Sequence, residues 1–325
     1  MIAAHYLTEW AESHPWKLSE QVEQDLLISR TVVAIYSDPY LAERLAWRGG
    51  TALYKLYLTP QPRYSEDIDL VLIHPEPIGP ILDRLRDVTS FLPDKQAKGK
   101  CFSHILKLRF VSEANAIPCR IKVEINCNEH FSELGFAKVP FKVKSSWFSG
   151  ACEVTAYRFE EMLGTKFNAV FGRKKTRDLF DMDYVFKHSS PDVETVLRCW
   201  RRYKRELGED IPSWREFVLN VEAKLKDPEY RHGMDNLLRP KVTFDPDSAW
   251  QLMQERIVDR LMTEEASLLA VTPKTATDPR PTERHGLPPT EYRRKLLNTP
   301  MIADFRGRER TPAAPQSYFN ENLVL

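Results

Sequence analysis

The chain has 325 residues, of which 47 are lysine or arginine and 46 are aspartate or glutamate, so its net charge is +1. This balance excludes a protein that coats nucleic acid along its whole length. Hydrophobic residues make up 42% and aromatic residues 11%, which is enough for a substantial core and excludes wholesale disorder.

Cysteine, histidine and apolar patterns indicate the compartment. No apolar run approaches the ~20 residues that a membrane span needs, and the N-terminus lacks the basic and apolar regions of a signal peptide. The five cysteines form no CxxC, and the eight histidines form no HxxxH. These features favour a reducing compartment and argue against a zinc hydrolase. We therefore expect a cytoplasmic protein with no membrane partner.

The first predicted elements are helices. Apolar residues recur on one face of residues 17–37, and a proline ends this helix. A short helical piece follows at 40–46. After a turn at 48–51 that contains two glycines, residues 51–58 are predicted to form a short helix that ends before another proline.

Strand patterns begin at residue 67 and give way to helical patterns at residue 156. Alternating or β-branched segments predict strands at 67–73, 104–111, 119–126 and 141–144, with a helix at 78–90. From residue 156 to about residue 226 the pattern is helical.

This order of elements predicts an α/β (α+β) fold with a small mixed sheet and a mainly helical C-terminal half. We expect a head with N-terminal helices in residues 1–150 and a helical domain in residues 151–270 that completes the active site. Residues 271–325 hold eight of the 23 prolines and are predicted to be an extended or partly disordered tail.

The strand at 67–73 begins with two aspartates, Asp67 and Asp69. Side chains alternate along a strand, so both carboxylates lie on one face. They repel each other unless a cation binds them, and a divalent cation takes oxygen ligands, usually including a substrate phosphate. Without further context the same pattern also fits a solvated strand end.

Gly49, Gly50 and Thr51 open a helix, and Thr51 lies sixteen residues before Asp67. Glycine lets a backbone approach closely, and the first N–H groups of a helix are free donors for phosphate. A glycine pair alone is usually only a turn. Followed by the DxD strand, it predicts a phosphate site and a metal site in one short unit.

A third carboxylate, Glu124, lies on the strand predicted at 119–126. If this strand pairs beside 67–73, Glu124 can join Asp67 and Asp69. The alternative is an exposed glutamate on the strand surface.

A stripe of cations follows in the helical half. Lys166, Arg173 and Arg177 share a face if one helix persists, and Asp178 and Asp181 come directly after. Such a stripe can bind phosphates. The alternative is a helix surface with ordinary ion pairs, which we favour for the charge run that includes Arg173.

Three segments together resemble one known family. RGGTALYKLYL at 48–58, RYSEDIDLVLI at 63–73 and KFNAVFGRKKTRDLFDMDYVF at 166–186 are similar to motifs of the AbiEii/AbiGii nucleotidyltransferase toxins. These are toxins of bacterial toxin–antitoxin and phage-defence systems. The motifs match in type, order and spacing, and the resemblance covers residues 20–190.

The resemblance implies a role for each motif residue. Asp67, Asp69 and Glu124 are expected to bind Mg²⁺, with Mn²⁺ as an alternative ion. The expected catalytic residues are Asp67, Asp69, Lys166, Asp178 and Asp181, and either of the last two is the essential one. The expected nucleotide-binding residues are Gly49, Gly50, Thr51, Ser65, Lys166, Arg173 and Arg177. In some relatives an antitoxin phosphorylates a serine at the position of Ser65; the alternative is a serine that caps the turn into the strand.

The expected activity is transfer of a nucleoside monophosphate from an NTP to RNA, with the 3′ end of tRNA as the first candidate and a block of translation as the outcome. A cognate antitoxin, encoded nearby, is the expected partner. Two alternatives stay open, namely transfer to a protein hydroxyl and a regulator that binds NTP without turnover.

A basic cluster at 198–205 lies outside the resemblance. Its cations alternate with Trp200 and Tyr203 and could bind an RNA backbone and stack a base. We favour the other interpretation, an amphipathic helix with Leu197, Trp200 and Tyr203 packed inward.

Overall fold

The computed structural model describes residues 2–100 and 102–271, and in this part of the chain seven strands form one mixed sheet. The strands are β1 (Leu45–Arg48), β2 (Asp67–Leu72), β3 (Asp94–Lys100), β4 (Ser103–Val111), β5 (Pro118–Asn126), β6 (Ala137–Lys144) and β7 (Ser149–Ala156). Their order across the sheet is β3-β4-β5-β2-β1-β7-β6. β2 is central; it pairs in parallel with β5 and antiparallel with β1.

Helices precede the sheet, connect its strands and follow it. Those of the first half are α1 (Ala4–Ser13), α2 (Ser19–Tyr36), α3 (Pro39–Arg44), α4 (Gly49–Ala52, continued by a π-helical turn at Leu53–Tyr57) and α5 (Ile78–Val88). Those of the second half are α6 (Phe159–Gly172), α7 (Thr176–His188), α8 (Val193–Glu206), α9 (Trp214–Leu225), α10 (Pro228–Arg231), α11 (Pro246–Met253, continued by a π-helical turn at Gln254–Val258) and α12 (Asp259–Val271).

The two faces of the central strands have different surroundings. Ile68 and Leu70 of β2 and Val123 of β5 point into the core and are buried, and α2 contacts β5, β6 and β7. Asp67 and Asp69 alternate with the buried residues and are only partly exposed on the other face. Burying each large apolar side chain of this kind contributes about 1.5–3 kcal/mol, so the core fixes which face of β2 the aspartates occupy.

The four predicted strands are confirmed, but the structure corrects several boundaries. The helix predicted at 40–46 ends at Arg44, because Leu45, Ala46 and Trp47 form a fully buried strand between β2 and β7. The helix predicted at 51–58 begins at Gly49. The helical pattern assigned from residue 156 begins at Phe159, because Ala156 still pairs with Trp47 in the sheet.

Two strands have no clear signal in the sequence. β3 is polar along its whole length because it is an edge strand, paired only with β4. β7 is rich in small residues and pairs with β6 as a hairpin. Residue 150, the predicted end of the head, therefore lies within the sheet, and residues 2–271 form one compact unit.

The predicted tail at 271–325 lies outside the described residues, apart from Val271 at the end of α12. Among the helices that are described, none combines the length and the apolar character that crossing a membrane requires.

Candidate active site

The two aspartates lie on the central strand, β2, which pairs with β5. The parallel register places Asp69 beside Glu124 and Asp67 beside Lys122. The three carboxylates that the sequence analysis grouped thus occupy neighbouring positions on one face of the sheet, with Lys122 as an additional member. The Lys122 Nζ atom lies 3.1 Å from a carboxylate oxygen of Asp67 and 3.1 Å from one of Glu124.

Glu124 and Asp69 differ in how their charge is balanced. Glu124 accepts a hydrogen bond of 2.8 Å from Ser103 and pairs with Lys122. Burial would raise the pKa of Glu124, but Ser103 and Lys122 outweigh it and lower this pKa. The pKa of Asp69 is raised, first by burial and then by the Asp67 carboxylate. In the described part of the chain no cationic nitrogen lies within 4.0 Å of Asp69, so this carboxylate would gain most from an added cation.

Gly49 and Gly50 form the opposite wall and approach the carboxylates closely. Gly49 has a φ of +86°, a conformation that L side chains rarely adopt, and a Cβ atom there would lie 3.0 Å from the Asp69 Cβ and Cγ atoms. A Cβ atom on Gly50 would lie 2.7 Å from Arg63 Nη2 and 3.4 Å from Lys166 Nζ. The glycine pair therefore leaves the space between the DxD carboxylates and two cations open.

Two hydroxyl groups lie at the same wall. The Ser65 and Thr51 side-chain oxygens are 2.8 Å apart, and Ser65 Oγ would be 3.5 Å from a Cβ atom on Gly50. Ser65 lines the cavity, whereas Thr51 is buried behind it. Thr51 thus contacts the site through the hydroxyl of Ser65.

Asp181 is fully buried and collects three donors from different parts of the chain. Arg63 donates to both of its carboxylate oxygens, at 2.7 and 2.8 Å, Lys166 Nζ lies 2.7 Å away, and the Tyr54 hydroxyl donates at 2.5 Å. Burial alone would raise the pKa of Asp181, but Arg63 and Lys166 hold it well below its usual range.

Asp178, on the same helix as Asp181, also binds two cations. Arg173 donates to both carboxylate oxygens, at 2.6 and 2.7 Å, and Lys166 Nζ lies 3.3 Å away. The pKa of Asp178 is lowered although its burial opposes this, because Lys166 and Arg173 stabilise the charged form. Asp178 and Asp181 both lie behind the cavity wall, so they contact its cations and not its interior.

The condition for the cation stripe, one unbroken helix, is not met. α6 ends at Gly172 and α7 begins at Thr176, so Lys166 and Arg177 lie on different helices. The break places Arg173 in the connecting segment, from where its side chain reaches back to Asp178. Lys166, Arg173 and Arg177 nevertheless line the same cavity.

Sequence reasoning missed two arginines and a glutamate of this site. Arg63 lies in the loop before β2, and its partner Asp181 is 118 residues away, a pairing that no local pattern shows. Arg48 ends β1 opposite Asp69 and forms an ion pair with Glu129. An arginine directly before the glycine pair and another before the DxD strand were the only available signals.

These walls enclose a cavity of about 340 Å³. The predicted residues that line it are Gly49, Gly50, Ser65, Asp67, Asp69, Glu124, Lys166, Arg173 and Arg177. The carboxylates lie on the sheet side, with Lys122 among them, and Lys166, Arg173 and Arg177 lie on the helical side. This arrangement suits an anionic substrate bound together with a metal ion.

The fit of Mg²⁺ can be judged from the donor set. In residues 2–100 and 102–271, no three carboxylate, histidine or cysteine groups are close enough to hold an ion by themselves. Asp67 and Asp69 offer oxygen ligands on one face, and Asp69 lacks a paired cation. Mg²⁺ is commonly bound by one or two carboxylates plus substrate phosphates, so two aspartates fit it. Glu124 is already engaged by Lys122 and Ser103.

The basic cluster on α8 is a helix surface, as favoured from its sequence. Leu197, Trp200 and Tyr203 are buried, which confirms the amphipathic interpretation. Four of its five cations are paired: Arg198 and Arg202 lie near Glu133, Arg201 pairs with Glu264, and Lys204 pairs with Glu209.

Comparison with known proteins identifies the family. Residues 30–261 match the model described as the nucleotidyl transferase AbiEii toxin of a type IV toxin–antitoxin system. The chain belongs to this family. It is therefore a nucleotidyltransferase, and membership of a type IV system implies an NTP substrate and an antitoxin partner. No curated protein matches the chain in sequence.

The solved structures that are similar to this chain include the following two. MenT4, nucleotidyltransferase toxin Rv2826c from Mycobacterium tuberculosis H37Rv, superposes with a TM-score of 0.59 at 15% identity, covering 83% of this chain and 99% of that chain. JHP933 from Helicobacter pylori gives a TM-score of 0.46 at 19% identity, covering 78% of this chain and 98% of that chain. The first similarity confirms the predicted α/β nucleotidyltransferase fold.

Proposed function

We propose that this toxin uses Mg²⁺ to transfer a nucleoside monophosphate from an NTP to RNA. The favoured acceptor is the 3′ end of tRNA. One observation carries the proposal: Asp67 and Asp69 face Gly49, Gly50 and Lys166 across a single cavity. Nucleotidyl transfer needs this combination of paired carboxylates, backbone donors and a cation near the phosphates.

Each wall of the cavity has its own task. Asp67 and Asp69 would hold the metal ion, which would reduce the negative charge of the phosphates and activate the attacking hydroxyl. The backbone N–H groups at Gly49 and Gly50 and the hydroxyl of Ser65 would bind the triphosphate. Lys166 and Arg173 would neutralise the pyrophosphate as it leaves.

The reaction is an in-line displacement. The acceptor hydroxyl oxygen forms a bond to the α-phosphorus and releases its proton to water, the bond from that phosphorus to the bridging oxygen breaks, and pyrophosphate is released. Asp178 and Asp181 touch no substrate in this scheme. They act as positioning residues, because they fix Lys166 and Arg173 at the cavity wall.

RNA is the preferred acceptor because a modified tRNA 3′ end can no longer carry an amino acid, so translation stops. This outcome suits a cytoplasmic toxin that an antitoxin must control. Transfer to a protein hydroxyl and NTP binding without turnover are the competing functions. The presence of a complete carboxylate and cation set supports turnover over mere binding.

The test incubates the protein with each α-³²P-labelled NTP, Mg²⁺, total RNA and a cell lysate depleted of RNA. Label in RNA supports the proposal, label only in protein supports the second function, and NTP binding with no label in either supports the third. Asp67→Asn and Asp69→Asn should abolish labelling, because each removes metal-binding charge but little packing. The matched control is Asp87→Asn, which removes an exposed carboxylate on α5.

A further inference from the structure

The face of the sheet that carries the DxD carboxylates continues beyond them as a row of cations. Lys107 of β4 lies directly opposite Lys122 of β5, and Arg109 lies opposite Arg120. Lys98 of β3 pairs with Ile105 of β4, and Ile105 pairs with Glu124 of β5. Directly paired residues lie on the same face, so Lys98 is on the face that carries Glu124. We call Lys98, Lys107, Arg109 and Arg120 the basic patch.

The basic patch is formed at a cost to the folded sheet. Like charges directly opposite each other on neighbouring strands are destabilising, and here two such pairs follow one another. Arg109 is partly balanced by Asp94 at 3.6 Å. For Lys107 and Arg120, no carboxylate oxygen of residues 2–100 or 102–271 lies within 4.0 Å. Arg109 and Arg120 are exposed, so no packing requirement explains their charge.

The patch is continuous with the cavity. Lys122 lines the cavity and is the cross-strand neighbour of Lys107. Neighbouring strands are about 4.8 Å apart, so the far edge of the patch, on β3, lies about 14 Å from β2. Lys166, Arg173 and Gly50 lie on the opposite, helical side of the carboxylates. The two groups of cations therefore flank the reaction centre, and the helical group suffices for one triphosphate.

We propose that the basic patch binds the phosphodiester backbone of the acceptor RNA and guides its 3′ end to Asp67 and Asp69. This inference rests on the proposed function, because it names where that acceptor binds. A polyanion would neutralise both like-charge pairs at once, which a single small anion cannot do. RNA is favoured over an acidic protein partner because the patch leads directly into the cavity through Lys122, where an acceptor must reach Asp67 and Asp69.

The experiment compares the full chain with Lys107→Gln/Arg120→Gln, which leaves Lys122 and the cavity intact. The matched control is Lys142→Gln/Lys144→Gln, which removes two exposed cations from β6 at the other edge of the same sheet. Binding is measured by fluorescence anisotropy with deacylated tRNA at several salt concentrations. Transfer kinetics give KM for tRNA and for NTP separately.

If the patch binds RNA, the patch variant weakens tRNA binding about tenfold or more, and the slope of log Kd against log salt falls by about 2, one for each lost phosphate contact. In the patch variant KM for tRNA rises while KM for NTP stays at its wild-type value. In the control variant both KM values stay at wild-type values. The urea midpoint of the patch variant should equal or exceed that of the wild type, since two repulsions are removed. This shows that the loss of RNA binding is not a loss of folding.

Unchanged tRNA affinity and salt slope in the patch variant would overturn the inference. So would an unchanged KM for tRNA combined with lost binding of an acidic antitoxin, which would assign the patch to that partner. If the wild type labels no RNA but the patch variant still loses tRNA binding, the proposed function fails while the RNA-binding surface stands.

Discussion

Replacing Asp181 with asparagine tests how the site is held together. Its carboxylate accepts from Arg63, Lys166 and Tyr54, and the first two are cations with only 2% and 7% of their side-chain surfaces exposed. Asparagine keeps the shape but removes the charge. Arg63 then has no carboxylate partner in the described part of the chain, and almost none of its side chain is exposed to water.

The size of the effect follows from this burial. Removing one partner of a buried ion pair costs about 3–5 kcal/mol, against a total of about 5–15 kcal/mol for a typical domain. Asp178→Asn is the matched comparison. It frees Arg173, whose side chain is 49% exposed and can be hydrated, and Lys166 keeps Asp181. We therefore expect Asp178→Asn to cost only about 1–3 kcal/mol.

Urea unfolding followed by circular dichroism measures both variants, with the midpoint read at an unchanged slope. Asp181→Asn should be the less stable by about 2 kcal/mol. Equal midpoints for the two variants would refute the view that Asp181 is chiefly a structural counter-ion.

Acid titration provides a second measurement of how much the ionised Asp181 stabilises the fold. The pKa of Asp181 is lowered in the folded state, so its contribution is present above the unfolded pKa of about 3.9 and is lost as pH falls through the folded value. The wild type should thus lose stability below about pH 4, and Asp181→Asn should lose less over the same range. Parallel pH profiles would contradict this assignment.

Three further variants test the walls of the cavity. Gly49→Ala forces a side chain at positive φ against the Asp69 carboxylate. Because misplacement by about 1 Å can cost about a hundredfold in rate, the transfer rate should fall at least about a hundredfold. A wild-type kcat would contradict the close approach. Glu124→Gln leaves Lys122 with Asp67 alone, so kcat should fall less than in Asp69→Asn; an equal loss would make Glu124 a metal ligand. Ser65→Asp places a negative charge beside the phosphate-binding wall and should raise KM for NTP while leaving the urea midpoint unchanged, with Ser65→Ala active; full activity of Ser65→Asp would remove the electrostatic basis for control by phosphorylation.

The sequence predicts those parts of the fold in which one local pattern decides the outcome. Asp67 and Asp69 alternate with apolar residues, so their shared face follows from strand geometry. β1 is different, because its sequence pattern continues that of α3. It is extended only because it pairs with β2 on one side and with β7 on the other. The end of α6 was also missed, because Gly172 is tolerated within helices and the residues after it are good helix formers.

The candidate site shows the same division between local and long-range information. The glycine pair and the DxD strand are recognisable because their chemistry is contained in short segments. The connection between Arg63 and Asp181 is not, since it joins a loop to a helix 118 residues away. Opposite charges occur throughout the chain, and only burial selects this pair.

The charges behind the cavity explain why the helical half belongs to the reaction centre. Arg63, Lys166 and Arg173 carry three positive charges, and Asp178 and Asp181 carry two negative ones, so the cluster keeps one positive charge. Without the two aspartates, buried Arg63 and Lys166 would repel each other, and nothing would prevent Lys166 from pairing with Asp69. With them, Lys166 is fixed 3.4 Å from the Cβ position of Gly50, where a phosphate would be bound. In the proposed function, the aspartates thus keep the cation on the side of the cavity that would bind phosphate and leave Asp67 and Asp69 available for a metal ion.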